Sequence, residues 1–166
     1  VAQITQEAGV AKGTFFNYFG TKHDLLIQVI EGQVAEAKER LHDLVQSDQP
    51  LTDGLIAVMV GLASPVPYTQ SLVRAMFHSA LANPENVSGH LAPAMAMVEA
   101  LTPVIAAGQE RGEFRGDLPP DQLAFLVMQT YFGALWAWSV APVQEPLAER
   151  IALSYRVFFE GTGRTR

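Results

Sequence analysis

The chain has no cysteine among its 166 residues, which excludes a disulfide framework and a thiolate metal site and fits a reducing cytoplasm. Positive charge is also scarce, with 11 Lys and Arg against 17 Asp and Glu and a net charge of −6. Such a protein does not coat nucleic acid through bulk charge, so any binding of that kind has to be local. Strand signals are nearly missing: no period-2 alternation runs between hairpin turns, and apolar residues recur at helical spacing almost throughout. The fold class is therefore all-α.

Catalytic signatures are missing as well. The four histidines are isolated. There is no His-Glu-x-x-His pair, no G-x-S-x-G elbow and no loop that cradles phosphate. His78, Glu85 and His90 span a loop at no spacing diagnostic of a metal site. No catalytic residue, metal ligand or cofactor is assigned, and the chain is not read as an enzyme.

Charge disappears entirely from Gln122 to Gln144, a run of 23 residues that is long enough to cross a bilayer. Gln129, Thr130 and Ser139 interrupt that run, acidic Asp117, Asp121, Glu145 and Glu149 flank it, and no Lys/Arg cluster sets an orientation. A helix buried on all sides is preferred to a membrane span.

What is present reads as a series of helices. Val1 to about Ala8 forms the first and stops at Gly9, which can take the positive φ of a tight exit. Because Val1 already lies inside this helix, the natural N-terminus is expected upstream. A second short helix runs from about Ala11 to Phe19 and ends at Gly20, and two short helices joined by a glycine-containing turn outline a helix-turn-helix. Thr21 and Asp24 form a capping box for a third, which carries Ile30, Val34, Ala37, Leu41 and Leu44 as one apolar stripe to about Gln46.

The cluster Ser47 to Gly54 marks a boundary, giving a first domain over 1–46 and a second over 47–166. Further helices are predicted at about 51–63, 68–82, 91–111, 120–141 and 145–161, with a kink at Pro103.

The second short helix carries the sharpest functional signal. With Ala8, Val10, Phe15 and Phe19 packed inward, its outer side is Lys12, Gly13, Thr14, Phe16, Asn17 and Tyr18. Lys12 and Thr14 suit base edges or phosphates, and Gly13 allows close backbone approach. Phe16 suits a thymine methyl or sugar, and Tyr18 a phosphate. Lys22 sits in the first turn of the next helix, where free amides already favour an anion.

"ITQEAGVAKGTFFNYFGTKHDLL" resembles the DNA-binding motif of the TetR (tetracycline-repressor-like) transcriptional regulators. The resemblance is close over 1–26 and extends beyond only as an all-α regulatory domain of suitable length. It implies a homodimer that binds a palindromic operator and releases it when a small molecule enters the C-terminal domain. Lys12, Thr14, Phe16, Tyr18 and Lys22 fall where members of the family touch DNA. Thr5 replaces a usual Ala, and Ala11 replaces a usual Ser or Thr cap, at a cost of about 1 kcal/mol. The family's first helix, with its basic arm, is not in the sequence. Residues 1–26 net to zero charge through Lys12, Lys22, Glu7 and Asp24.

In the second domain, Met76, Phe77, Met95, Met128, Phe132 and Trp136 are the candidate effector lining, since methionine and aromatic side chains adapt to apolar ligands. Leu126, Gly133, Ala137, Leu147, Ile151 and Phe158 are the candidate dimer surface, two helices from each subunit meeting across a two-fold axis. The reading is a repressor released from its operator by a small apolar or aromatic effector; the alternative is a helical small-molecule-binding protein that no longer binds DNA.

Overall fold

A computed structural model describes residues 1–63, 68–82, 84–142 and 145–161, with side chains described throughout these except at 22, 23 and 81–90. Among the described residues the regular structure is entirely helical: α1 Ala2–Glu7, α2 Lys12–Tyr18, α3 Lys22–Gln46, α4 Leu51–Gly61, α5 Gln70–Ala82, α6 Pro84–Glu110, α7 Pro120–Val140 and α8 Leu147–Glu160. Packing divides the chain into two compact units, Val1–Gly32 and Gln33–Arg166.

In the first unit, α1 ends in a Schellman turn. Gly9 adopts φ 67°, its amide donates to the Gln6 carbonyl at 3.2 Å, and the Val10 amide donates to the Thr5 carbonyl at 3.0 Å. Only glycine takes that left-handed conformation without strain. Thr5 is buried, and its hydroxyl donates to the carbonyls of Ala2 at 3.0 Å and Val1 at 3.2 Å. The substitution for Ala therefore leaves no polar group unsatisfied. α2 starts at Ala11 with extended φ and ψ and no side-chain cap. α3 has the reciprocal box its sequence announces: the Thr21 amide donates to Asp24 Oδ2 at 2.8 Å, and the Asp24 amide to Thr21 Oγ1 at 3.2 Å.

In the second unit, Val34, Ala37, Leu41 and Leu44 of α3 are buried as their spacing requires. α4 comes close to this stripe because Gly54 has no side chain: a Cβ there would stand 2.2 Å from Leu44 Cδ1. The sequence places the domain boundary after residue 46, whereas packing places it at Gly32/Gln33. The physical reason lies in the turn after α6. Gly112 (φ 73°) separates Arg111, which donates to the Val45 carbonyl at 3.0 Å, from Glu113, which accepts from the Leu51 amide at 2.6 Å. A cation on the last carbonyls of α3 and a carboxylate on the first amide of α4 each match the helix dipole, so the segment read as a linker is held within the second unit.

α7 packs on α5, α6 and α8, and α8 also packs on α4. Within the single chain α7 is buried on one face only. Leu123, Ala124, Val127, Met128, Tyr131, Ala134, Leu135 and Trp138 form a buried face, while Phe125, Leu126, Phe132, Trp136 and Val140 are exposed. The Tyr155 hydroxyl donates to the Val127 carbonyl at 2.8 Å and ties α8 to α7. The end of α7 is closed from α5, where Gln70 donates to the carbonyls of Trp138 at 2.8 Å and Ala141 at 3.2 Å and Arg74 donates to that of Ser139. α6 begins at Pro84 rather than near 91: a proline in the first turn lacks only an amide that has no helical partner there, and the helix runs on through Pro93 and Pro103. α6 from Leu91 and α7 are long and apolar enough to cross a membrane, yet about half of each is buried against the rest of the protein.

Candidate nucleic-acid interface and regulatory core

α2 has one inward residue. Phe15 is 5% exposed, and its ring meets Phe16 edge-on at 5.3 Å and Phe19 at 5.3 Å. The seven-residue helix thus rests on one buried ring. Phe19 is half-buried, whereas Ala8 and Val10 are exposed, which corrects their expected inward packing: the Schellman turn directs the Val10 amide back to α1 and leaves its side chain outside.

Lys12, Gly13, Thr14, Phe16, Asn17 and Tyr18 are all exposed, with Phe16 at 48% and Tyr18 at 76%. A Cβ on Gly13 would meet nothing within 4 Å, so no packing inside the protein requires a glycine there. Exposed rings, a lysine and a threonine on one short helix supply apolar contact, a phosphate partner and a base-edge hydrogen bonder. The side chain of Lys22 lies outside the described residues.

In the second unit the six candidate effector residues are dispersed. Met76 and Phe77 of α5 are half-buried, Met128 is buried, and Phe132 and Trp136 are exposed. Phe77 and Trp136 do meet, ring edge to face at 5.3 Å. Met95 lies elsewhere, in a groove of about 590 Å³ between α6 and α7 whose lining also includes Glu99, Asp121 and Phe125 and none of the other five candidates.

Of the candidate dimer residues, Leu126, Gly133 and Ala137 are exposed on α7 and Phe158 is half-buried. Leu147 and Ile151 are buried within the unit, which corrects their assignment to a surface: the stripe they form faces the protein's own core. On α8 the exposed apolar side chains are Leu153 and Val157 instead.

A polar group inside the second unit is absent from all these candidates. Gln33, on α3, is only 9% exposed. The Tyr68 hydroxyl donates to its Oε1 at 3.0 Å, and its Nε2 has no hydrogen-bond partner among the described residues. Burial pushes the Tyr68 hydroxyl above the usual tyrosine range. Burial pushes Tyr131 up much further, with the nearby Tyr68 adding to the rise. The available signal was a glutamine standing within an otherwise apolar stripe between Ile30 and Val34.

Residues 1–29 match the family model of the bacterial regulatory proteins of the tetR family. That match spans α1, α2 and the start of α3. Among solved structures, the fold is similar to that of FadR from Bacillus subtilis in complex with stearoyl-CoA, with 18% identity, TM-score 0.73 and coverage of 98% of this chain and 88% of that one. It is similar to FadR from Thermus thermophilus, a TetR-family repressor in complex with lauroyl-CoA, with 24% identity, TM-score 0.68 and coverage of 98% and 84%. It is likewise similar to the fatty acid degradation regulator FadR from Bacillus halodurans, with 18% identity, TM-score 0.75 and coverage of 99% and 86%. At these identities the likeness is one of fold. No curated protein matches the sequence.

Proposed function

We propose that this chain is a ligand-responsive, sequence-specific transcriptional regulator, a homodimeric repressor released from a palindromic operator by a small molecule with a largely apolar body. The observation that carries the reading is α2: one buried ring, Phe15, holds a helix whose Lys12, Thr14, Phe16, Asn17 and Tyr18 all face solvent inside a segment that matches the tetR family. The exposed apolar face of α7 supports the dimer, since Leu126, Phe132, Trp136 and Val140 surround the small Gly133 and Ala137, over which a second helix can approach closely. The acyl-CoA complexes of the two FadR proteins support an effector with a long apolar part.

The effector acts by favouring one of two spacings of the paired reading helices, only one of which fits successive major grooves. α3 is one continuous helix that begins in the first unit and ends in the second, and it carries that shift. A mobility-shift titration of the full-length protein on its own promoter, at stated salt, tests the reading. A specific complex is expected; its absence overturns the proposal and leaves a helical small-molecule-binding protein.

A further inference from the structure

The second unit buries a hydrogen-bond donor with nothing to donate to. Gln33 is nine-tenths buried, and its amide oxygen already accepts from Tyr68. Both hydrogens of Nε2 are left without an acceptor among the described residues. A buried amide in that state costs the full desolvation of the group, and such a group calls for a partner that is not part of the chain, a water or a ligand.

We infer that Gln33, held by Tyr68, is the polar anchor of the effector site and takes a neutral molecule that offers a hydrogen-bond acceptor, of which a carbonyl oxygen on an apolar chain is the simplest. The inference rests on the ligand-responsive reading and narrows it to a chemical class.

Four observations set that class. The free group is an N–H donor, so the ligand atom facing it is an acceptor. The Tyr68 hydroxyl is committed to Gln33 Oε1 and fixes the amide's orientation. Around Gln33 the adjoining cavity is lined by Ala37, Val58, Gly61 and Leu62 together with Glu36 and Arg40. Those two ions pair with each other at 2.6 Å, so the charges beside the cavity offset one another and neither sign of ligand is called for. That cavity is about 10 Å³, room for no more than one water; an organic ligand therefore enters by displacing side chains. Gln33 is also the first residue of the second unit, on the helix that begins in the first. A ligand bonded to it pulls directly on α3.

Thermal denaturation of the full-length protein with three probes of one chain length tests this: 2-nonanone (neutral acceptor), nonane (no acceptor) and nonanoate (anion). A ligand that binds only the folded state raises the melting temperature by mass action. For the wild type, 2-nonanone is expected to bind at least tenfold more tightly than either of the others. Gln33→Met should remove that preference and raise the melting temperature of the ligand-free protein, because the unpaired amide is gone. Tyr68→Phe, which releases the amide oxygen, should lower the ligand-free melting temperature and reduce the preference. Three results would overturn the inference: no binding of 2-nonanone, equal binding of ketone and alkane, or a lower ligand-free melting temperature for Gln33→Met, which would mark an amide already satisfied by an ordered water. Operator binding by ligand-free Gln33→Met is expected to persist, which separates failure here from failure of the DNA-binding reading.

Discussion

The ring of Phe114 occupies the place where a side chain on Gly108 would have to go: a Cβ built there would lie 2.0 Å from Phe114 Cδ2 and 2.3 Å from Cε2. The same ring stacks on Phe159 at 5.2 Å, so the turn after α6 is bound to α8 through this approach. Gly108→Ala is expected to destabilise the protein by roughly 1–3 kcal/mol, the usual cost of overpacking, despite alanine's better helix propensity. Urea denaturation checks it. Gly32→Ala is the control, since a Cβ there meets nothing within 4 Å and alanine is the better helix former; its stability should hold or rise.

Ala11 precedes α2 with extended φ and ψ suited to a cap, but it has no side-chain oxygen to offer. Its carbonyl accepts from the amides of Thr14 at 3.0 Å and Phe15 at 3.3 Å, so the helix starts on backbone bonds alone. Ala11→Ser should add about 1 kcal/mol of local stability. Hydrogen exchange of the α2 amides should slow by about fivefold; unchanged exchange would contradict the role given to the cap.

Local signals were legible in the sequence and tertiary ones were not. Gly9, the Thr21–Asp24 box and the α3 stripe are set by residues within a turn or two of each other, and each stands where the spacing placed it. α6 starts at Pro84, upstream of the predicted 91, because a proline in the first turn of a helix forfeits no helical hydrogen bond. Leu147 and Ile151 form a genuine apolar stripe, but a stripe does not say whether its partner is the same chain or another. The effector candidates were chosen by residue type, and type does not bring Met95 of α6 to Met128 of α7. In the sequence Gln33 is one polar residue on a long helix, and the burial that isolates its amide comes from elements distant in sequence.

Alkaline conditions should reveal the buried tyrosines. Burial raises Tyr131 and Tyr155 well above the ordinary tyrosine range, Tyr131 with a contribution from Tyr68 and Tyr155 with one from Tyr131. Below about pH 10 both are neutral folded and unfolded, and contribute no pH dependence. Above it the unfolded chain loses the protons that the folded protein keeps, so stability falls with rising pH, by about 1.4 kcal/mol per pH unit for each tyrosine. Tyr131→Phe should reduce the slope of unfolding free energy against pH between 10 and 11 by about that amount. An unaltered slope would sink the assignment.

Ala137 is exposed on α7 beside Gly133 and Trp136, where a second α7 is proposed to pack. Ala137→Glu should leave the fold of a single chain within about 0.5 kcal/mol of the wild type, as exposed substitutions do. In a dimer it buries an unpaired charge and should weaken association by 100-fold or more. Sedimentation velocity should then show monomer at concentrations where the wild type is dimeric. Ala57→Glu, exposed on α4 and away from this face, should remain dimeric.

Thr14 and Lys22 should fail in different ways if α2 reads bases and the start of α3 holds the backbone. Thr14 is exposed in the first turn of α2, and a hydroxyl there discriminates among base edges, so Thr14→Ala is expected to cost about 1–3 kcal/mol on the preferred operator and much less on variants of it. Lys22 opens α3, and a helix start is a place that favours a phosphate. Lys22→Ala should weaken binding to every sequence alike and reduce the slope of log affinity against log salt by about one. Mobility-shift titrations of both variants on the promoter and on scrambled DNA, each at two or more salt concentrations, separate the two patterns. If both substitutions weakened every site equally with unchanged salt slopes, α2 would not be the reading helix.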